Sequence, residues 1–312
     1  MSGAGAPTRA GGEIVRFFSE GEPIEALLFR PAGASGDGGR PGVVLCHGFT
    51  ALKEMILPDI ATRLAGEGYV ALVIDYRYFG GSGGQPRGRL LPQAQVADIR
   101  NALSYLGQLA GVDPRRLALF GTSFGGATVT YAAALDPRVR CAVSNVGLGD
   151  GGRWLRHLRA PDEWAEFERR LAADRVRRVL TGESERVHSH EIMVPDPATR
   201  AAREARQAAF PSWDLTLLLE SAEAILDFRP EEVVHRIAPR AMLWIHAGAD
   251  ALVPPEESRR MFERAGEPRR LVILDGLAHY DTYAGAGLDA VLRHTRDWFR
   301  EHLHPETRKE TP

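Results

Sequence analysis

Ser123 sits in Gly121-Thr122-Ser123-Phe124-Gly125-Gly126, between the apolar run RLALFG (116–121) and the helix-like ATVTYAAAL (127–135). A serine flanked by glycines two positions away on either side suits a very tight strand-to-helix bend, because side chains at those positions would collide. Such a bend lifts the hydroxyl above the sheet edge and aims the free N–H groups of the new helix at the same point. A hydroxyl is a weak nucleophile near neutral pH and needs a base beside it. Among the ten histidines, His279 stands in the loop that follows the last strand-like run, RLVILD (270–275). The base in turn needs a carboxylate to fix its tautomer. Asp250, just past the strand-like AMLWIHA (241–247) and before a turn at Val253-Pro254-Pro255, is the first choice. Asp150, Asp275 and Asp281 are the competitors.

A tetrahedral oxyanion also needs donors. Cys46-His47-Gly48-Phe49-Thr50 follows the strand-like VVLCH (43–47), and the backbone amides of Phe49 and Phe124 are the expected pair. His47 is expected to brace this loop, not to move protons. Asp75 and Arg77, ahead of a Gly-rich loop (80–84), are expected to form a structural charge pair. That loop lacks the spacing of a dinucleotide or phosphate site. His188-Ser189-His190-Glu191 lacks the spacing of a helical zinc site, and no third ligand is near. No metal or cofactor is expected. Cys46 and Cys141 lie in apolar runs and are expected to be buried thiols.

The elements that would carry these residues read as α/β. Continuous apolar runs at 43–47, 69–76, 116–121, 138–146, 241–247 and 270–275 suit strands buried on both faces. Helical patterns start near Glu54, Leu91, Phe124, Pro255 and Gly287, giving a parallel sheet with crossover helices. Residues 13–31 read as a hairpin turning at Glu20-Gly21-Glu22, residues 1–12 as a loose tail and residues 32–42 as a loop. Residues 151–235 show no strand pattern and are charged, helical and aromatic. They divide the chain into a core (1–150 and 236–312) and an inserted helical cap (151–235). The cap residues Trp154, Trp164, Phe167, Met193, Phe210 and Trp213 either line a pocket or pack between helices. His190, also in the cap, is a further candidate for contact with substrate.

The chain has 312 residues and a formal charge of −2. Its arginines alternate with acids, and Lys53 and Lys309 are its lysines. No basic block calls for nucleic acid, and no apolar run approaches a membrane span. The N-terminus lacks a signal-peptide core, so a cytoplasmic location is expected. A homodimer is left open.

CHGFTALKE (46–54), DYRYFGGSGGQPR (75–87), GTSFGG (121–126), HAGADALVPPEES (246–258) and LAHYDTY (277–283) together resemble the α/β-hydrolases. The likeness is to the dienelactone-hydrolase-like and dipeptidyl-peptidase-S15-like group and to polyketide-transferase relatives. It implies an α/β-hydrolase fold: a mostly parallel twisted sheet with helices on both faces and an inserted cap. It implies nucleophile, acid and base roles for Ser123, Asp250 and His279, and oxyanion roles for Phe49 and Phe124. The serine departs from the cysteine nucleophile of many dienelactone hydrolases, and the cap exceeds theirs. The expected reaction is hydrolysis of a carboxylic ester through an acyl-serine. Acyl transfer and thioester, lactone, amide or C–C cleavage are alternatives, and a non-catalytic binding protein is a third reading. Phe49, Tyr78, Phe124 and Tyr280 are expected to face the acyl group, which suggests a small-molecule substrate with an apolar or aromatic portion.

Overall fold

The computed structural model describes residues 11–33 and 38–304. Most of the tail expected at 1–12, and part of the loop expected at 32–42, lie outside them. The chain begins with a hairpin of β1 (Glu13–Ser19) and β2 (Glu22–Phe29). Its turn is Glu20-Gly21, with φ of 50° and 88°. Two successive residues at positive φ twist the ribbon the way paired strands twist. Glu22, expected in the turn, already pairs with Ser19.

Then come β3 (Arg40–Cys46), α1 (Leu57–Gly66), β4 (Val70–Ile74), α2 (Pro92–Gln108), β5 (Val112–Thr122), α3 (Phe124–Leu135) and β6 (Val139–Asn145). After a long insertion the core resumes with β9 (Ala241–Ala247), α10 (Glu256–Arg264), β10 (Arg269–Leu274) and α11 (Gly285–Leu303). Eight of these strands form one sheet in the order β1-β2-β4-β3-β5-β6-β9-β10. The β1–β2 and β2–β4 pairings are antiparallel, and the others are parallel.

Alternate residues of each inner strand serve opposite faces. Val44, Leu72, Leu119 and Ala142 pack with Ile99 and Leu103 of α2 and with Val129 of α3. Their neighbours Val43, Val73, Phe120 and Val143 pack with Leu64 of α1 and with Val291, Trp298 and Phe299 of α11. Each large side chain wholly removed from water in this way contributes roughly 1.5–3 kcal/mol. Cys46 and Cys141 are buried thiols. Burial pushes the Cys46 thiol up to about 12 and raises that of Cys141 as well.

The insertion between β6 and β9 holds α4 (Gly151–His157), α5 (Pro161–Thr181), α6 (Ser189–Ile192), α7 (Pro197–Ala209), α8 (Glu220–Leu226) and α9 (Pro230–Val233). It also holds two strands that the sequence pattern does not reveal, β7 (Arg186–His188) and β8 (Thr216–Leu218), which pair antiparallel. At three residues each they are too short for period-2 alternation to register. The insertion is tied to the loops at the carboxyl ends of the core strands. Trp213 Nε1 donates to the Thr50 carbonyl (2.6 Å), Trp154 Nε1 to that of Leu252 (3.0 Å), and the Leu218 amide to that of Gly88 (2.9 Å). No helix of the described residues is long and apolar enough to cross a membrane.

Candidate active site

Ser123 joins β5 to α3 with φ 56° and ψ −125°. That is strained for a residue with a side chain and is held by its surroundings. A Cβ on Gly121 would lie 2.1 Å from the Gly125 carbonyl oxygen, and one on Gly125 would lie 2.3 Å from that of Cys46. Both glycines are therefore required by backbone contact. The Ser123 amide donates to the Asn145 carbonyl at 2.8 Å, which pins the bend to β6.

His279 is buried in the turn after β10. Its Nε2 lies 3.1 Å from Ser123 Oγ, and its Nδ1 lies 2.6 Å from Asp250 Oδ2. The Nδ1 contact fixes the tautomer: Nδ1–H donates to the carboxylate, leaving Nε2 as a hydrogen-bond acceptor facing Ser123 Oγ. The other Asp250 oxygen, Oδ1, accepts from the amides of Leu252 (3.0 Å) and Val253 (2.8 Å). Burial alone would raise the Asp250 carboxyl. The positive charge available at His279, hydrogen bonding to His246 and His279 and the Val253 amide outweigh it and hold the group well below the usual carboxylate range. The other three acids lie elsewhere. Asp150 caps α4 by accepting from the Arg153 amide at 2.8 Å, Asp281 accepts from the Ala278 amide, and Asp275 is exposed.

Gly48 lies against Ser123, since a Cβ there would come 2.9 Å from Ser123 Cβ. The next residue, Phe49, is thus brought beside Ser123. Phe124 opens α3, so its amide is one of the N–H groups that a helix cannot satisfy internally. The loop carrying Phe49 is anchored from beneath. Asp75, fully buried, accepts from the Lys53 amide (2.7 Å), Lys53 Nζ (2.8 Å) and the Gly81 amide (2.9 Å). Lys53 Nζ also meets Glu25 (3.0 Å) and Glu54 (2.5 Å). The expected Asp75–Arg77 pair does not form. Arg77 turns to Asp98, with contacts of 2.6 and 2.9 Å, because Asp98 of α2 lies under its backbone while Lys53 takes Asp75. His47 is buried, and burial lowers its pKa, which the Asp75 charge only partly opposes.

A small cavity, about 40 Å³, opens beside Ser123. Its apolar walls include Phe49, Leu52, Met55, Met193, Trp213 and Tyr280, and its polar residues include His279, Arg203 and Arg206. Four residues expected against substrate, Trp154, Tyr78, His190 and Phe124, are not in its walls. Trp154 lies behind them, its ring packed on Phe49 and Phe124 with centroids 5.9 and 6.0 Å away. Tyr78 is held in the Gly-rich loop, its amide donating to the Gly83 carbonyl. The His190 ring is occupied by Arg203. Of the aromatics in the insertion, Trp164 and Phe167 pack on each other (6.0 Å) and Phe210 packs beside Trp213. Sequence reading missed Tyr283, whose Oη lies 3.1 Å from His279 Nε2, and His246, 3.6 Å from Asp250. Tyr283 stands four residues after the histidine, and that spacing was the available signal.

A mixed eight-stranded sheet, a serine on a strand-to-helix bend and a histidine–aspartate pair brought to it from later loops define an α/β-hydrolase. Residues 39–280 match the family described as serine aminopeptidase, S33, and the chain belongs to that family. It is 28% identical to polyketide transferase claH of Penicillium crustosum over 88% of this chain and 91% of that one. It is 27% identical to a thiohydrolase of Eupenicillium brefeldianum, covering 86% of each. Among solved structures, the α/β-hydrolase GrgF from Penicillium sp. sh18 superposes with a TM-score of 0.79 at 24% identity, covering 93% of this chain and 98% of that one.

Proposed function

We propose that the protein cleaves an ester or thioester of a small carboxylic acid through an acyl-serine at Ser123. The observation that carries this reading is the continuous hydrogen-bonded series Ser123 Oγ–His279–Asp250, at 3.1 and 2.6 Å, opening on a cavity. His279 Nε2 takes the Ser123 proton as Oγ bonds to the acyl carbon. The carbonyl oxygen becomes an oxyanion facing the amides of Phe49 and Phe124, each such donor being worth roughly 10²–10³ in rate. The C–O or C–S bond then breaks, and the leaving alcohol or thiol takes the proton from His279. Water, activated by the same imidazole, releases the acid and restores Ser123.

The thioester choice is favoured by the thiohydrolase relative. A second reading, transfer of the acyl group to an alcohol or amine instead of water, is favoured by the polyketide transferase relative and by the apolar wall of the cavity. The insertion acts as the cap over this cavity, to which it contributes Met193, Arg203, Arg206 and Trp213. Matched oxygen esters and thioesters, tested with wild type and Ser123→Ala, check the reaction class. Turnover is expected in wild type and lost in the variant, and equal turnover by both would refute it. Added alcohols or amines that divert product from the free acid would favour transfer.

A further inference from the structure

Arg203 of α7 is 3% exposed, yet none of its hydrogen-bond partners is an acid. Its Nε donates to His190 Nε2 (3.0 Å), and its Nη2 donates to Thr50 Oγ1 (3.2 Å) and Ser189 Oγ (3.1 Å). The Tyr280 side chain is a further neutral hydrogen-bond partner of the guanidinium. The guanidinium also lies over the Trp213 ring, 4.8 Å from its centre. His190 does not supply a charge, because burial first, then the Arg203 cation, depresses its pKa to about 4. One turn further on, half-buried Arg206 stands over the Tyr280 ring at 5.3 Å. Among the described residues neither arginine has a carboxylate within 4.0 Å, whereas Arg153, Arg170 and Arg178 of the same insertion each meet at least one within 3.0 Å.

A guanidinium removed from water without an opposite charge is costly. Burial lowers the Arg203 pKa, and nearby Tyr280 opposes that shift only in part. Both arginines line the cavity that holds Ser123 and His279. The uncompensated positive charge therefore faces the space where an acyl group would lie.

We infer that the acyl portion of the substrate carries a carboxylate, bound by Arg203 and Arg206, so that the substrate class is a monoester or monothioester of a dicarboxylic acid. This rests on the acyl-serine reading for its ester half and on the two arginines for its anionic half. The forked donors of a guanidinium fit the two oxygens of a carboxylate. The apolar residues that line the same cavity would take the intervening methylenes.

The test compares mono-p-nitrophenyl glutarate with p-nitrophenyl valerate, a neutral ester of similar length, after subtraction of uncatalysed hydrolysis. Wild type is expected to favour the anionic ester at least tenfold in kcat/KM, and Arg206→Gln and Arg203→Gln to bring the ratio toward one. Arg203→Gln loses ties that hold α7 to Thr50 and Ser189. Arg206→Gln, half-exposed and without such ties, carries the test if that variant fails to fold. A wild-type ratio near one, or a ratio undiminished in Arg206→Gln, overturns the inference. Binding of monomethyl glutarate to Ser123→Ala, followed by calorimetry against methyl valerate, separates the two halves. Preferential binding of the acid that is lost in Arg206→Gln, without turnover of any ester, would support the anion site and refute acyl-serine chemistry. Turnover of esters with no preference in rate or binding would do the reverse.

Discussion

Tyr283 Oη and Ser123 Oγ each lie 3.1 Å from the same atom, Nε2 of His279. A neutral imidazole whose Nδ1–H is committed to Asp250 offers one acceptor lone pair. Burial raises the Tyr283 phenol far above its ordinary range, so it is a neutral hydroxyl able to donate. The two hydroxyls therefore compete for one site in the resting protein. Tyr283→Phe is expected to speed labelling of Ser123 by a fluorophosphonate roughly 3- to 10-fold while costing about 1 kcal/mol of stability for the lost buried hydrogen bond. Slower labelling by a folded variant would show that the phenol assists Ser123 instead of competing with it.

Asp250 links acid stability to the site. Its folded carboxyl is held below the usual range, while the unfolded chain presents an ordinary one near ~3.9. A carboxyl depressed on folding stabilises the fold above its unfolded pKa and loses that contribution as pH falls through the folded value. The stability difference between wild type and Asp250→Asn should thus be constant above about pH 5 and shrink below about pH 4. Denaturant titrations across that range measure it, and a difference that widened toward acid would contradict the assignment. Turnover in Asp250→Asn should fall by roughly 10⁴.

Lys53 is 1% exposed and holds Asp75 beneath the loop that carries Phe49. Burial disfavours its charge, but Asp75, Glu54 and Glu25 more than offset this and raise its pKa. Lys53→Met would leave Asp75 buried with its backbone donors alone. The expected cost is about 3–5 kcal/mol, read from denaturant midpoints. A loss below 1 kcal/mol would mean that the backbone amides suffice.

The parallel strands and the serine bend were legible because each is dictated locally. Strands buried on both faces must be continuously apolar, and the glycines at 121 and 125 answer to contacts of 2.1 and 2.3 Å. The hairpin was legible because Glu20-Gly21 supplies two positive φ values. The cavity walls were not legible. Trp154 and Trp213 are both buried tryptophans of the insertion, and their surroundings alone decide that one lies behind the wall and the other forms it. The partners of Asp75 and Arg77 were not legible for a similar reason. An acid two residues from an arginine reads as its partner, but both stand past the end of β4, where Lys53 takes Asp75 and Asp98 takes Arg77. Arg203 looked like one more arginine in a helix rich in them, and only its burial among neutral acceptors sets it apart.

The central claim is that Ser123 becomes covalently acylated with His279 as its base. Intact-protein mass after brief exposure to an activated thioester or a fluorophosphonate tests it most directly. One adduct per chain, mapped to the peptide containing Ser123, is predicted for wild type, with none in Ser123→Ala and a strongly slowed reaction in His279→Ala. An adduct that persists in Ser123→Ala, or folded wild type that remains unmodified by either reagent, would contradict it.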